Sequence, residues 1–328
     1  MKMFRRVALG LLAAGVVALV VLPLILPFQS SGTVSYREAG GQFIRVNDLD
    51  VHVDTREFTD ACECFEAGRE PLILLMHGFG ASTFSWREVM DELSGFGEVV
   101  AYDRPGFGFT ERVTTWAGEN PYGTLGNFQI IDRLIDEFAD GRPVVLVGHS
   151  AGGELAANYV VANPGRVDGL VLVDAAIFTT GGSPAWLVPV FELPQFDTLG
   201  PMLVSSIATS GEDLLRESFL DQTKLTDDVY AGYRAPLALE GWERGFWEFT
   251  KAPRIAGLAL RLGELRVPTL VITGDSDTVV PTADASRIHD AIEQSELVII
   301  GQAGHLPQEE QPAAFVAALE TWLVSTYE

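Results

Sequence analysis

Six short apolar runs punctuate the chain: PLILLM, GEVVAY, PVVLVG, VDGLVLV, PTLVITG and ELVIIG. Each ends at a polar or glycine-rich loop. Runs of this length without polar alternation suit strands buried on both faces of a parallel sheet. Upstream, GQFIRVNDLDVHVDT alternates apolar and polar residues around Asn47-Asp48, which predicts a hairpin. Segments with helical spacing separate the runs: STFSWREVMDELS, TLGNFQIIDRLIDEFAD, GGELAANYVVANP and TADASRIHDAIEQ. A last one, QPAAFVAALETWLVSTY, closes the chain. This alternation predicts an α/β fold with a mostly parallel, doubly wound sheet.

Two stretches break the rhythm. From Ile177 to Gly263 there are helical patches but no clear strand, with aromatic residues such as Trp186, Phe191, Trp242 and Phe246. Falling before the last two strands, this stretch reads as a helical cap over the end of the sheet. The other is the N-terminus, where MKMFRR precedes an uncharged run from Val7 to Phe28. That run exceeds a secretory h-region and matches a spanning helix of about 20 residues. Pro23 does not exclude one. Residues 1–29 are therefore expected to be a membrane anchor or uncleaved signal. Basic residues on the N-terminal side alone would place the body outside the cytoplasm, with secretion as the alternative.

The chain is 47% hydrophobic, enough for a sizeable core over its 328 residues. Its net charge of −23 argues against nucleic acid as a partner, because phosphate neutralisation needs clustered Lys and Arg. Cys62 and Cys64, in an acidic loop-like stretch, offer too few ligands for a structural zinc and carry no assigned role.

In open α/β sheets the site lies at the carboxyl ends of the strands. After VVLV comes Gly148-His149-Ser150-Ala151-Gly152, the G-x-S-x-G pattern of a strand-to-helix elbow. Glycines two before and two after Ser150 let strand and helix approach, and the serine oxygen projects as a nucleophile. A serine needs a base. Of five histidines, His305 follows the last strand, whereas His77 is better placed to prop its loop and His149, beside the nucleophile, should point away from Ser150. His52 lies in the strand pair, and His289 in a charged helix. The acid that orients the imidazole is Asp277, with Asp275 and Asp174 as alternatives, since the order Ser, Asp, His holds for all three. Backbone N–H groups of Ala151 and of Phe79, in HGFG, are candidates for an oxyanion hole. No metal constellation and no dinucleotide-binding glycine pattern appears, so neither metal nor cofactor is expected.

HGFGAST, YDRPGFGFTER, GHSAGG, GDSDTVVP and AGHLPQEEQP follow one another in order. In them the chain resembles the α/β-hydrolase superfamily over roughly residues 40–328. The resemblance places Asp277 at the acid position and the Ile177–Gly263 insertion at the lid. It implies core segments 30–176 and 264–328 around a lid at 177–263. A serine at the elbow makes epoxide hydrolase and haloalkane dehalogenase chemistry unlikely, since those branches use Asp there. The expected function is hydrolysis of carboxylic esters of small to medium apolar acyl groups through an acyl-enzyme. Carbon–carbon bond hydrolysis, perhydrolysis and non-catalytic ligand binding are the alternatives.

Overall fold

The computed structural model describes residues 28–328 apart from 60–63, 66–67, 179–184, 206 and 328, and also residues 5, 15, 17 and 21–26. Eight strands form one sheet: β1 (Gln42–Val46), β2 (Leu49–Arg56), β3 (Leu72–Met76), β4 (Glu98–Tyr102), β5 (Val144–His149), β6 (Gly169–Val173), β7 (Thr269–Gly274) and β8 (Ser295–Ile300). Their spatial order is β1-β2-β4-β3-β5-β6-β7-β8. Only the pairings of β2 with β1 and β4 are antiparallel; all others are parallel. The Asn47-Asp48 hairpin is present, with Val46 facing Leu49 and Asn47 at φ 51°.

The longer helices are α1 (Thr124–Phe138), α2 (Ala151–Ala162), α3 (Phe196–Ser205), α4 (Ile207–Ser218), α5 (Asp227–Arg234), α6 (Trp242–Lys251), α7 (Thr282–Ala291) and α8 (Pro312–Tyr327). α1, α2 and α7 cover one face of the sheet and α8 the other, so the apolar runs need no polar side. Along β3, Leu72, Leu74 and Met76 enter one core layer, while Ile73 and Leu75 enter the other. That is the period-two geometry of a strand buried twice over.

Between β6 and β7 the chain leaves the sheet and forms a helical insertion, whose Trp242, Phe246 and Trp247 cluster with Phe107 and Tyr122 of the loop region after β4. The N-terminal stretch is stitched to this insertion. Ser30 Oγ donates to Glu243 at 2.6 Å, and the Ser31 N–H and hydroxyl donate to the same carboxylate at 2.8 and 2.6 Å. Glu243 is fully buried.

The expected membrane anchor is not borne out. Among the described residues no helix is long and apolar enough to cross a membrane. Among the described residues, the end of the Val7–Phe28 run holds a helical turn at Leu22–Ile25. Thr198 of α3 donates to the carbonyls of Pro23 and Leu26 at 2.8 and 3.3 Å, so this turn rests on the insertion. Most of positions 7–20 lie outside the described residues. The location outside the cytoplasm and the membrane contact, both inferred from the anchor, fall with it. Cys64 is disulfide-bonded, and Cys62 lies outside the described residues.

Candidate active site

β5 ends at His149 and α2 begins at Ala151, leaving Ser150 alone at the turn with φ 52° and ψ −119°. Such dihedrals are strained for a residue with a Cβ. The turn is held by Ser150 N–H donating to the Val173 carbonyl at 2.9 Å, and by Gly153 N–H donating back to Ser150 O at 3.0 Å. Glycine is required on both sides. A Cβ on Gly148 would stand 2.5 Å from the Gly152 carbonyl oxygen, and one on Gly152 would stand 2.3 Å from that of Met76.

Ser150 opens into a cavity of about 630 Å³ that also takes in Phe79, Ala151, His149 and His305. The insertion supplies much of the opposite wall, with Leu215, Tyr233, Leu237, Trp242 and Phe246 among its side chains. The Phe79 ring packs edge-on against Phe107 and Phe246, with centroids 5.8 and 5.4 Å away. Among the described residues, the N–H groups of Phe79 and Ala151 donate to no protein acceptor. For Ala151 this follows from its place in the first turn of a helix.

His305 Nδ1 donates to Asp277 Oδ2 at 2.7 Å. The other Asp277 oxygen accepts from the N–H groups of Val279 and Val280 at 2.8 and 3.0 Å. Burial pushes the Asp277 carboxyl up, but the hydrogen bond and charge of His305 outweigh it and hold the group below the usual carboxylate range. With Nδ1 engaged, the imidazole has Nε2 left for a proton from a hydroxyl. Ser150 Oγ and His305 share the cavity without a hydrogen bond between them among the described residues. Such bonds are often open until substrate is bound.

The structure separates the three acidic candidates. Asp277 meets His305. Asp275 is exposed and accepts from Ser276 Oγ and the Gln302 N–H at 2.8 and 3.1 Å. Asp174, at the end of β6, is buried and accepts from Thr273 Oγ1 at 2.7 Å. Donor atoms of His149, Asp174 and His305 lie within 4.8 Å of one another, close enough to hold a cation. One atom of each, His149 Nε2, Asp174 Oδ1 and His305 Nδ1, is already committed to a protein hydrogen bond.

The remaining histidines serve loops. His149 Nε2 donates to the His305 carbonyl at 2.7 Å, bracing that loop. Burial, reinforced by the neighbouring His305, drops its pKa to about 3. His77 accepts the Arg104 N–H at 2.9 Å on Nε2 and donates from Nδ1 to the Gly78 carbonyl at 2.7 Å. Burial drops its pKa to about 4. His52 lies against Asp103 at 2.8 Å, and His289 against Ser295 Oγ at 2.8 Å.

Sequence reasoning missed the charged part of the cavity wall: Arg112, Glu154, Glu212, Arg234 and Arg254. Glu154 was within reach of it, since four residues after Ser150 is one turn further along the same helix face. Arg254 carried no such signal.

Sheet order, elbow and helical insertion together define the α/β-hydrolase architecture. The chain belongs to the alpha/beta hydrolase family, whose model matches residues 73–318. It is 30% identical to a 2-hydroxy-6-oxononadienedioate/2-hydroxy-6-oxononatrienedioate hydrolase of Cupriavidus pinatubonensis, over 85% of this chain and 93% of that one. It is 29% identical to a 2-hydroxy-6-oxo-2,4-heptadienoate hydrolase of Pseudomonas putida, over 77% of this chain and 89% of that protein. Similar solved folds include a meta-cleavage product hydrolase of Pseudomonas fluorescens, with TM-score 0.65 and 22% identity, covering 88% of this chain and 98% of that one. A membrane phospholipase A gives the same TM-score and identity over 99% of both chains.

Proposed function

We propose that the chain is a serine hydrolase in which Ser150 attacks a carbonyl carbon, His305 carries the proton and Asp277 orients the imidazole. The tetrahedral oxyanion sits on the N–H groups of Phe79 and Ala151. In the first half-reaction His305 takes the Ser150 proton and passes it to the departing alcohol. In the second it takes a proton from water, which releases the acyl group and restores the serine. Residues 177–263 act as a lid over the Ser150 cavity. The leading substrate class is carboxylic esters of small to medium apolar acyl groups. The observation that carries this reading is the strained, glycine-flanked serine opening into a largely apolar cavity that also holds an aspartate-bound histidine.

A second reading is carbon–carbon bond hydrolysis at the same serine. It is favoured by the named reactions of the relatives at 29 and 30% identity. Its leaving group is a carbanion equivalent rather than an alcohol, so the substrate must stabilise charge on carbon.

One experiment weighs both. Purified protein is assayed on aryl esters of increasing acyl length and on a vinylogous diketone acid, with Ser150→Ala in parallel. Loss of the serine should lower kcat by roughly 10⁴-fold or more, leaving only oxyanion-hole and binding catalysis. Faster ester turnover with a chain-length optimum supports the first reading, and faster diketone cleavage the second. Equal inertness of wild type and variant on both sinks the hydrolase reading.

A further inference from the structure

Asp174, the residue after β6, has φ 44°, a left-handed conformation that few non-glycine residues adopt. The side chain is 2% exposed. Its Oδ1 accepts from Thr273 Oγ1 at 2.7 Å and from the Gly274 N–H at 3.2 Å. Its Oδ2 is buried and receives no N–H or O–H. What Asp174 meets is another carboxyl, that of Asp277, in hydrogen-bonding contact. His149, from the end of β5, and His305, from the loop after β8, are the other titratable groups facing it, with donor atoms within 4.8 Å.

Two carboxylates form a hydrogen bond only with a proton between them. Asp277 has the donor set of an ionised group: two backbone N–H groups on Oδ1 and His305 on Oδ2. The set around Asp174 is lopsided, with both donors on one oxygen. That is the pattern of a neutral acid, whose carbonyl oxygen accepts and whose hydroxyl donates. We propose that Asp174 holds a proton and donates it to Asp277, as a positioning residue that keeps Asp277 against His305. The inference rests on the roles given to Asp277 and His305 above. Burial first, and then the Asp277 charge, push Asp174 well above the usual carboxylate range, which agrees.

The consequence for catalysis is a matter of charge. An ionised Asp174 would put a second anion beside His305 and make its proton harder to release. A donated hydrogen bond instead draws charge from Asp277 and leaves the imidazole a weaker base.

Asparagine reproduces the neutral pattern, with one oxygen to accept from Thr273 and Gly274 and one N–H to donate to Asp277. Leucine matches the shape and supplies neither. The readouts are the acid limb of kcat/KM and the His305 titration followed by NMR, which needs no turnover. Asp174→Asn should leave both within about 0.3 pH units of wild type and kcat/KM within about threefold. Asp174→Leu should move both upward and lower kcat/KM by about ten- to a hundredfold, as expected for loss of a charge-assisted hydrogen bond. A downward move of about one pH unit or more in Asp174→Asn would mean that a negative charge was removed, and would overturn the proposal. So would an Asp174→Leu enzyme indistinguishable from wild type. If the leucine variant does not fold, infrared spectroscopy decides on the wild-type enzyme at pH 8. A carboxylic-acid C=O band that vanishes in Asp174→Asn is expected, and its absence from wild type overturns the idea. An enzyme inert on every ester and diketone sinks the functional reading, while the His305 titration and the infrared band still judge this one.

Discussion

Gly152 is pressed against the end of β3. A methyl group there would stand 2.3 Å from the Met76 carbonyl oxygen and 2.6 Å from that of His77. Both are backbone atoms, so no side-chain rotation relieves the clash. Gly152→Ala should therefore destabilise the fold by about 1–3 kcal/mol or more and push Ser150 out of place. A urea melt reads the first effect, and ester turnover reads the second. A variant as stable and active as wild type would refute the close approach. Local features of this kind were legible in the sequence, because G-x-S-x-G constrains neighbours along the chain. The choice among Asp174, Asp275 and Asp277 was not, since all three sit at strand ends in the right order. Their difference lies in where the β6, β7 and β8 loops meet. That brings Asp277 to His305, leaves Asp275 exposed and buries Asp174 behind Asp277.

At the scale of elements, the apolar runs predicted six strands and the helix-spaced segments α1, α2, α7 and α8. STFSWREVMDELS is the weakest match, forming a 3₁₀ turn at Thr83–Trp86 and one helical turn at Met90–Leu93. The insertion was legible as helical, but its ties were not, since they join residues distant in sequence. Tyr233 bonds to Glu309, which also pairs with Arg87 at 2.6 Å. The His305 N–H donates to the Ser218 carbonyl at 2.9 Å, so the end of α4 touches the histidine loop directly. Just past the boundary expected after residue 29, Ser30 and Ser31 satisfy the buried Glu243. A chain starting at Ser30 keeps these donors, whereas one starting at Thr33 leaves Glu243 without both serines. A buried charge stripped of its partners costs about 3–5 kcal/mol. The shorter chain should unfold at clearly lower urea than the longer one. Glu243→Gln, which removes the charge, should recover part of the difference. Equal midpoints for the two truncations would show that the stitch contributes nothing.

Over the whole molecule, buried titratable groups pull stability in opposite directions with pH. His77 and His149 stay neutral in the fold, with pKa values of about 4 and about 3. The unfolded chain takes up protons on both near pH 6.5, before the folded chain does. Their contribution is therefore complete above about pH 6.5 and is lost as pH falls toward the folded values. Glu309 has the opposite sign. Burial raises it to about 7 against the stabilising charge of Arg87. The unfolded chain ionises first, so its contribution fades as pH rises from about 4.5 to 7. Two histidines against one carboxyl leave these three groups with a net loss of about 2 kcal/mol from pH 7 to 5, and only variants separate the components. His149→Gln keeps a donor for the His305 carbonyl but cannot titrate. From pH 7 to 5, wild type should lose on the order of 2 kcal/mol relative to this variant. From pH 5 to 7, wild type should lose about the same amount relative to Glu309→Gln. Urea unfolding at the two pH values, read as the difference between each variant and wild type, measures both slopes. Parallel profiles for His149→Gln and wild type would mean that His149 is not held neutral by the fold. A reversed slope for Glu309→Gln would mean that Arg87 outweighs burial at that carboxyl.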